Sequence, residues 1–468
     1  MNTLEVNLDL IQQYNEAGPR YTSYPPANIF SDSFDRNDLK SSIEASNTED
    51  RPLSLYFHLP FCHSLCWFCG CNKIITHNPE AADEYLDYLE KEIKLRSEEI
   101  SQERKVVQLH YGGGTPTFFN GDQLARLWSL IESNFNFSDD AELSIEIDPR
   151  TMQASQPELL FKQGFRRASL GIQDFNPQVQ KAVHRIQPEE MTRSTVDQLR
   201  DAGFTSINVD LIYGLPYQTA KSFEETLSRA LALNPDRFAI FNYAHVPWIV
   251  PAQRIIKEDT LPAPATKLAM LKLITETLTR ESYHYIGLDH FAREEDELSV
   301  AQKRRTLQRN FQGYSTYAGV DIQAYGVSSI SQNKTAYFQN EKDINVWKER
   351  LDKGDTPTAK AYVLTKDDEI RRYVILELMC NLFLDLDQVN ELFSIEFNDY
   401  FADELNALSS MEQDGLVQVT NNSIEITDTG RLLIRNIAMR FDAFHKGAQG
   451  RFSKTIYEPA SIPRVDDY

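Results

Sequence analysis

The chain is predicted to fold as an α/β protein: a partial parallel (β/α)6 barrel, with an N-terminal arm before it and a mostly helical, winged-helix-like C-terminal domain after it. Three observations predict this. From about residue 53, six short apolar runs alternate with helix-like stretches, and such alternation builds a parallel sheet with right-handed crossovers. Polar and glycine-rich motifs collect after these runs, as they do at the mouth of an α/β barrel. Beyond about residue 360, helical patterns give way to a hairpin signal. The expected divisions are 1–35 for the arm, 36–345 for the barrel domain and 346–468 for the C-terminal domain.

In order along the chain, Ala17-Gly18-Pro19-Arg20-Tyr21-Thr22-Ser23-Tyr24-Pro25-Pro26 is rich in turn formers and aromatics and lacks a helical or strand period, so it reads as an extended arm. The expected strands are Leu53–His58, Val106–Tyr111, Leu143–Ile147, Ala168–Ile172, Ile207–Ile212 and Phe238–Ala244. Between them, Ala82–Ile100, Gly121–Ser133, Met191–Ala202 and Ser222–Leu233 carry helical apolar spacing with turn residues at their borders. In the C-terminal part, Asp367–Met379, Leu386–Phe393 and Asn398–Ser409 are expected helices. The segments 414–420 and 423–427 around Asn421-Asn422 form the hairpin.

Four of the five cysteines fall within ten residues, as Cys62-x3-Cys66-x2-Cys69-x-Cys71. Thiolates are soft ligands for zinc and iron–sulfur clusters. The uneven spacing departs from paired zinc knuckles and from four-ligand ferredoxin runs. Three cysteine ligands would leave one iron open to bind a substrate or cofactor directly, which points to chemistry as well as electron storage. Cys380 sits in an apolar helical pattern and reads as a core residue.

The strand ends carry further candidates. Gly112-Gly113-Gly114-Thr115-Pro116 either exposes backbone groups to a ligand or makes a plain turn. Glu146 is either a ligand contact or a solvated carboxylate. Gln173, Arg185 and Asp210 are either structural or suited to a ligand bearing a carboxylate and a ribose, because arginine offers a fork to the first and aspartate accepts from hydroxyls of the second. His58 could face a cluster at the cysteine loop, although a lone histidine more often packs or lies exposed. His63 within the loop is a weaker candidate for iron.

The formal net charge is −21, which argues against a nucleic-acid surface, since phosphate binding needs a concentrated positive footprint. A polyanionic small molecule would need only a local group of cations, because screening acts over about 8 Å. Arg20, Arg254, Arg293, Lys303-Arg304-Arg305, Arg309 and Arg371-Arg372 are candidates, none of them singled out. The first residues lack a basic segment followed by an apolar core, and no run approaches the roughly 18 apolar residues of a spanning helix. Neither secretion nor a membrane span is expected. The crowded cysteines suit a reducing cytoplasm rather than a disulfide framework.

The cysteine loop resembles the signature of the radical S-adenosylmethionine (SAM) superfamily. In that family three cysteines carry a [4Fe-4S] cluster and SAM chelates the fourth iron. Further motifs, Gly18–Pro25, His110–Pro116, Gly287-Leu288-Asp289-His290-Phe291-Ala292-Arg293, Asn310-Phe311-Gln312-Gly313-Tyr314 and Gly430–Asn436, are similar to those of the oxygen-independent coproporphyrinogen III oxidase family, also called coproporphyrinogen dehydrogenases, over nearly the whole chain. Tyr111 stands where relatives often have Trp, and Leu59 where Ile is common. The resemblance implies an oxidoreductase of haem and porphyrin biosynthesis that converts two propionates of coproporphyrinogen III to vinyl groups, releasing two CO2. A 5′-deoxyadenosyl radical made from SAM would start each conversion.

Carried over by the resemblance, Cys62, Cys66 and Cys69 bind the cluster. Tyr56, Phe68, Gly113, Glu146 and Ala244 line one SAM, while Gly114, Thr115, Gln173, Arg185, Asp210 and Ile330 line a second. Tyr56 and His58 are the catalytic candidates. The role of Cys71 stays open, with a place near the site expected. A low-potential donor such as flavodoxin or ferredoxin and a monomeric chain are expected. Two other readings compete: a haem-binding chaperone on the same scaffold, whose members usually lack the arm and carry an aromatic at the Cys71 position, and a cluster-bearing nucleic-acid sensor.

Overall fold

The structure, a computed structural model, describes residues 3–445. Residues 1–2 and 446–468, the outer ends of the expected arm and C-terminal domain, lie outside the described residues.

The central sheet contains β1 (Leu53–Leu59), β2 (Lys105–Gly113), β3 (Asn136–Ile147), β4 (Arg167–Gln173), β5 (Ser206–Tyr213), β6 (Arg237–Asn242), β7 (Tyr283–Gly287), β8 (His290–Arg293), β9 (Asp321–Tyr325), β10 (Ile330–Gln332), β11 (Ala336–Asn340) and β12 (Thr358–Val363). Their order is β12-β11-β10-β9-β1-β2-β3-β4-β5-β6-β8-β7. The six expected strands are all present and pair in parallel from β1 to β6. A seventh, β9, joins in parallel beside β1 although it lies far along the chain. Antiparallel strands β10–β12 and β8–β7 flank the parallel core. Both edges remain distinct, so the sheet is an incomplete barrel.

Strand β9 reads as polar in sequence because its burial depends on pairing. Asp321 is fully buried and takes Arg104 Nη2 at 2.5 Å and Arg51 Nε at 2.9 Å. Gln323 accepts from Arg96 at 2.9 Å. Buried charges of this kind persist only when paired. β12 extends the sheet edge past the expected 345/346 division.

Crossover helices Glu80–Ser97, Gly121–Glu132, Glu189–Ala202 and Ala220–Leu231 follow the strands. Their starts are written locally. Asn120 and Gln123 form a capping box, as do Thr219 and Ser222. The apolar face of each strand, such as Leu53, Leu55, Phe57 and Leu59 of β1, packs into the main core under these helices. Period-two alternation sends the other face inward. That inner face is polar: Ser54, Tyr56 and His58 of β1, Gln108 and His110 of β2, Glu142, Ser144 and Glu146 of β3, Asn208 and Asp210 of β5. Adjacent members are bonded across the strands, as Ser54 to Gln108, His110 to Ser144 and Ser169 to Asp210.

The C-terminal unit packs helices Lys366–Asn381, Leu386–Phe393 and Ala402–Gln413 against a three-stranded sheet, Phe383–Asp385, Ser423–Ile426 and Val417–Val419. The helix expected over Asn398–Ser409 is interrupted at Phe401, whose non-helical backbone seats its ring against Phe397 and Phe441. The arm begins with a short helix, Leu8–Gln13, and its Tyr14, Tyr21 and Tyr24 are buried in the same core as the C-terminal helices. The Tyr21 hydroxyl donates to Asp442 Oδ2 at 2.8 Å.

Candidate functional site

At the C-terminal end of β1, Phe61–Cys62 pairs in parallel with Ile74–Ile75 and pins both ends of the cysteine loop. The Trp67 N–H donates to Val183 O at 3.0 Å, fastening the middle of the loop to the segment after β4. Cys66 is buried, Cys62 and Cys69 are half-buried, and Cys71 is exposed. Cys62 Sγ lies 3.2 Å from Thr115 Oγ1. Two guanidiniums donate to Cys66 Sγ, Arg150 at 3.4 Å and Arg185 at 3.6 Å. Both are joined by Asp148, which Arg150 meets at 2.7 Å and Arg185 at 3.1 Å.

Burial pushes the Cys62 thiol up to about 11, with the neighbouring Cys69 and Cys66 adding to it against the Thr115 hydroxyl. Cys69 is drawn down to about 6, first by the Cys71 thiol and then, against its burial, by Lys73. Cys71 therefore stands beside Cys69.

The next wall is made by β1 to β3. Gly113 N–H donates to Glu146 Oε2 at 3.0 Å, and His110 Nε2 lies 3.5 Å from Glu146 Oε1. Burial among its neighbours raises the Glu146 carboxyl, but His110 and the Gly113 N–H outweigh it and hold the group below its usual range. The side chain nonetheless keeps 45% of its surface exposed. The Tyr56 ring stacks on His110 with centroids 5.9 Å apart.

His58 Nε2 lies 2.8 Å from Asn72 O, an atom that can only accept. That contact makes Nε2 the donor, so His58 Nδ1 accepts the Tyr56 hydroxyl at 3.1 Å. Burial lowers the His58 pKa, which keeps the ring neutral. Both catalytic candidates are thus committed to each other and to the segment just after Cys71.

The three glycines have a packing reason in addition to any ligand. A Cβ on Gly112 would meet Glu146 at 3.0 Å, one on Gly114 would meet the Pro60 backbone at 2.4 Å, and Gly113 has φ +114° with His58 at 2.7 Å. They let β2 end against β1 and the loop.

Arg185, in the connection between β4 and β5, donates to Gly171 O of β4 at 2.5 Å, while its Nε is buried with no partner. Gly171 leaves room for both this guanidinium and the Gln173 amide, and Gln173 adopts φ +72°. Asp210 accepts from Ser169 at 3.0 Å and Asn208 at 2.7 Å. Burial and the nearby Glu146 carboxylate push it up to about 7. Gln253 Nε2 contacts both Phe68 O and Ala244 O at 3.2 Å, bringing those two expected residues together. Ile330 stands on the antiparallel flank in a cluster with Phe30 and Tyr337.

Sequence reasoning did not single out Arg150, Asp148 or Gln253. The run Asp148-Pro149-Arg150 directly after β3 was the available signal. Among the described residues, no three His, Cys, Asp or Glu side chains are grouped tightly enough for one metal ion. A cubane cluster is larger and spreads its sulfur ligands over a wider triangle. The donor set fits such a cluster: three thiols on one pinned loop, two arginines to offset thiolate charge, and beside them an orphaned Arg185 Nε suited to an anionic ligand.

Comparison with known proteins agrees. The model of the radical SAM superfamily matches residues 56–230, and that of the HemN C-terminal domain matches residues 364–433. The oxygen-independent coproporphyrinogen III oxidase of Salmonella typhimurium is 47% identical over 455 residues, spanning 97% of this chain and 99% of its own. That of Synechocystis is 45% identical over 460 residues, again spanning 97% of this chain and 99% of its own. The solved coproporphyrinogen III oxidase (HemN) from Escherichia coli, described as a radical SAM enzyme, superposes with a TM-score of 0.90 at 46% identity, covering 95% of this chain and 100% of that one.

Proposed function

The chain belongs to the oxygen-independent coproporphyrinogen III oxidases of the radical SAM superfamily, and on that premise we propose how its residues share the reaction. The activity is oxidative decarboxylation of coproporphyrinogen III in haem biosynthesis, and the cofactors are a [4Fe-4S] cluster and SAM. The observation that carries the residue assignment is the pinned loop of Cys62, Cys66 and Cys69, with Cys66 Sγ held by Arg150 and Arg185.

When bound, the cluster and SAM supply the reducing electron and the carbon-centred radical that removes hydrogen from a substrate propionate. The rest falls to the chain. Cys62, Cys66 and Cys69 would hold the cluster, with Arg150 and Arg185 offsetting thiolate charge. Glu146, kept ionised by His110 and Gly113, would receive the ammonium of SAM, while Tyr56, Phe68, Gly113 and Ala244 line that ligand. Gly114, Thr115, Gln173, Arg185 and Asp210 would hold a second SAM, with Ile330 at its edge. Tyr56 and His58 would act as positioning residues, because their protons are already engaged with each other and with Asn72 O. In the substrate, loss of CO2 and of one electron to an acceptor completes each vinyl group, giving protoporphyrinogen IX after two rounds.

A flavodoxin- or ferredoxin-type donor, a monomeric chain and a cytoplasmic location complete the proposal. No helix among the described residues is long and apolar enough to cross a membrane. The test is an anaerobic assay of the reduced protein with SAM and coproporphyrinogen III, scoring CO2 and vinyl product. Stable haem binding without either product would favour the chaperone reading instead.

A further inference from the structure

Two motifs that the cofactor site does not use, Gly287–Arg293 and Asn310–Tyr314, meet in one place. The hairpin Gln308–Asn310 and Gly313–Ser315 reaches the inner face of the barrel, where Gln108 of β2 donates to Ser315 Oγ at 3.4 Å. Arg309, on this hairpin, is 5% exposed. Its guanidinium covers the Tyr314 ring at 4.6 Å, and its Nε and Nη1 are buried without a hydrogen-bond partner. Among the described residues it has no carboxylate within ion-pair distance.

The groups around it share that condition. His290 Nδ1, Gln312 Nε2 and Tyr314 Oη are buried and unpartnered as well. The His290 ring meets Tyr314 edge-on at 5.2 Å and Phe241 at 6.1 Å. Gly287 is required here, since a Cβ would come within 2.7 Å of the Tyr314 hydroxyl. The arm adds Arg20, which lies 5.7 Å from the Phe241 ring centroid and pairs with Asp289. Burial, then Arg309 and Arg435, lower Arg20 to about 10. Burial, then Arg309 and Arg20, lower His290 well below its ordinary range, so it is neutral.

Buried positive charge with open donors calls for an anion, because an uncompensated buried charge is costly. Phe241 links this cluster to the cofactor wall, since Phe241 and Phe68 pack on one apolar group that includes Ile212 and Tyr243.

We propose that Arg309, with Arg20, His290, Gln312 and Tyr314, forms a carboxylate-binding site for a propionate that the substrate keeps through the reaction. The proposal rests on the coproporphyrinogen reading above. An ion pair stabilises a carboxylate and therefore opposes its loss as CO2, so a site built on guanidinium suits a retained group. Those groups would set the ring's orientation, presenting the opposite edge to the cysteine loop.

Two porphyrins test it by fluorescence titration against holoenzyme. Coproporphyrin III has all four propionates; mesoporphyrin IX has the two retained ones and ethyl groups where the reacting ones stood. Arg309→Met is expected to weaken both by about 30-fold or more, Arg309→Lys by less, with SAM affinity unchanged and KM raised more than kcat is lowered. Unchanged affinity for both porphyrins would overturn the proposal. So would a loss confined to coproporphyrin, which would assign the site to a reacting propionate. A loss of SAM binding with porphyrin binding intact would assign it to the carboxylate of SAM. Should Arg309→Met fail to fold, Tyr314→Phe removes one oxygen and is expected to weaken both porphyrins several-fold; no change there would equally sink the site. Wild-type CO2 release is scored separately, so a failed activity and a failed site give different results.

Discussion

The two walls of the cavity are built in opposite ways. The proposed cofactor wall comes from short motifs near the strand ends, and most of its charge is internally paired, Asp148 with Arg150 and Arg185, Glu146 with His110 and the Gly113 N–H, with the Arg185 Nε left open. The basic wall joins Arg20 of the arm to His290 and Arg309, some 270 to 290 residues further on, and leaves several donors unpaired. A reactive centre benefits from groups already held in place, whereas a site for a carboxylate supplies only the cationic half of a pair.

Four measurements would break or sharpen that contrast. The largest effect is expected for Cys66→Ser: iron–sulfur absorbance and CO2 release are both lost, while the fold persists in circular dichroism, because the loop is pinned by backbone bonds at 61–62 and 74–75. Retained cluster and activity would remove Cys66 from the ligand set. Next, Glu146→Gln should weaken SAM binding by about 10- to 100-fold, since a charge-assisted contact is lost. Calorimetric titration reads this, and porphyrin affinity should stay put. An equal loss of porphyrin binding would mean the two walls are not separable.

Third comes a pH effect at Asp210. Its folded pKa of about 7 lies above the unfolded value of about 4. The folded chain therefore holds more protons than the unfolded chain between these values, and stability falls as pH rises through that window. Asp210→Asn should melt like the parent near about pH 4 and at a higher temperature near about pH 8. A variant no more stable at the higher pH would contradict the raised pKa of this carboxylate. The smallest effect separates the remaining cysteines. Cys380→Ala should cost about 1 kcal/mol of stability and leave the cluster intact, as expected of a buried thiol in the C-terminal core. Cys71→Ser should keep the cluster with reduced activity; loss of iron in chelator-free buffer would make Cys71 a ligand.

Much of this molecule was legible because its information is local. The six strands, their crossover helices and the cysteine loop follow from spacing within about 20 residues, and the strand-end motifs follow from the geometry of parallel barrels. Strand β9 was not legible, since Asp321 and Gln323 look like surface residues until Arg104, Arg51 and Arg96 arrive to pair them. The triple glycine was legible as a site but not for its packing reason, which lies in Pro60 and His58 on another strand. Arg309 could be named among nine cations, yet only its burial and open donors set it apart from residues such as Arg371, which is matched by Asp367 and Glu404.

Tyr21 closes on Asp442 across 421 residues, and Arg20 is its neighbour. During synthesis the arm must wait for the last helices before it can settle. The barrel strands and the cysteine loop can form far earlier. The enclosure is therefore shut last, when nearly the whole polypeptide has left the ribosome, and an unfinished chain would have its cysteine loop in place before it had the residues proposed to orient a macrocycle.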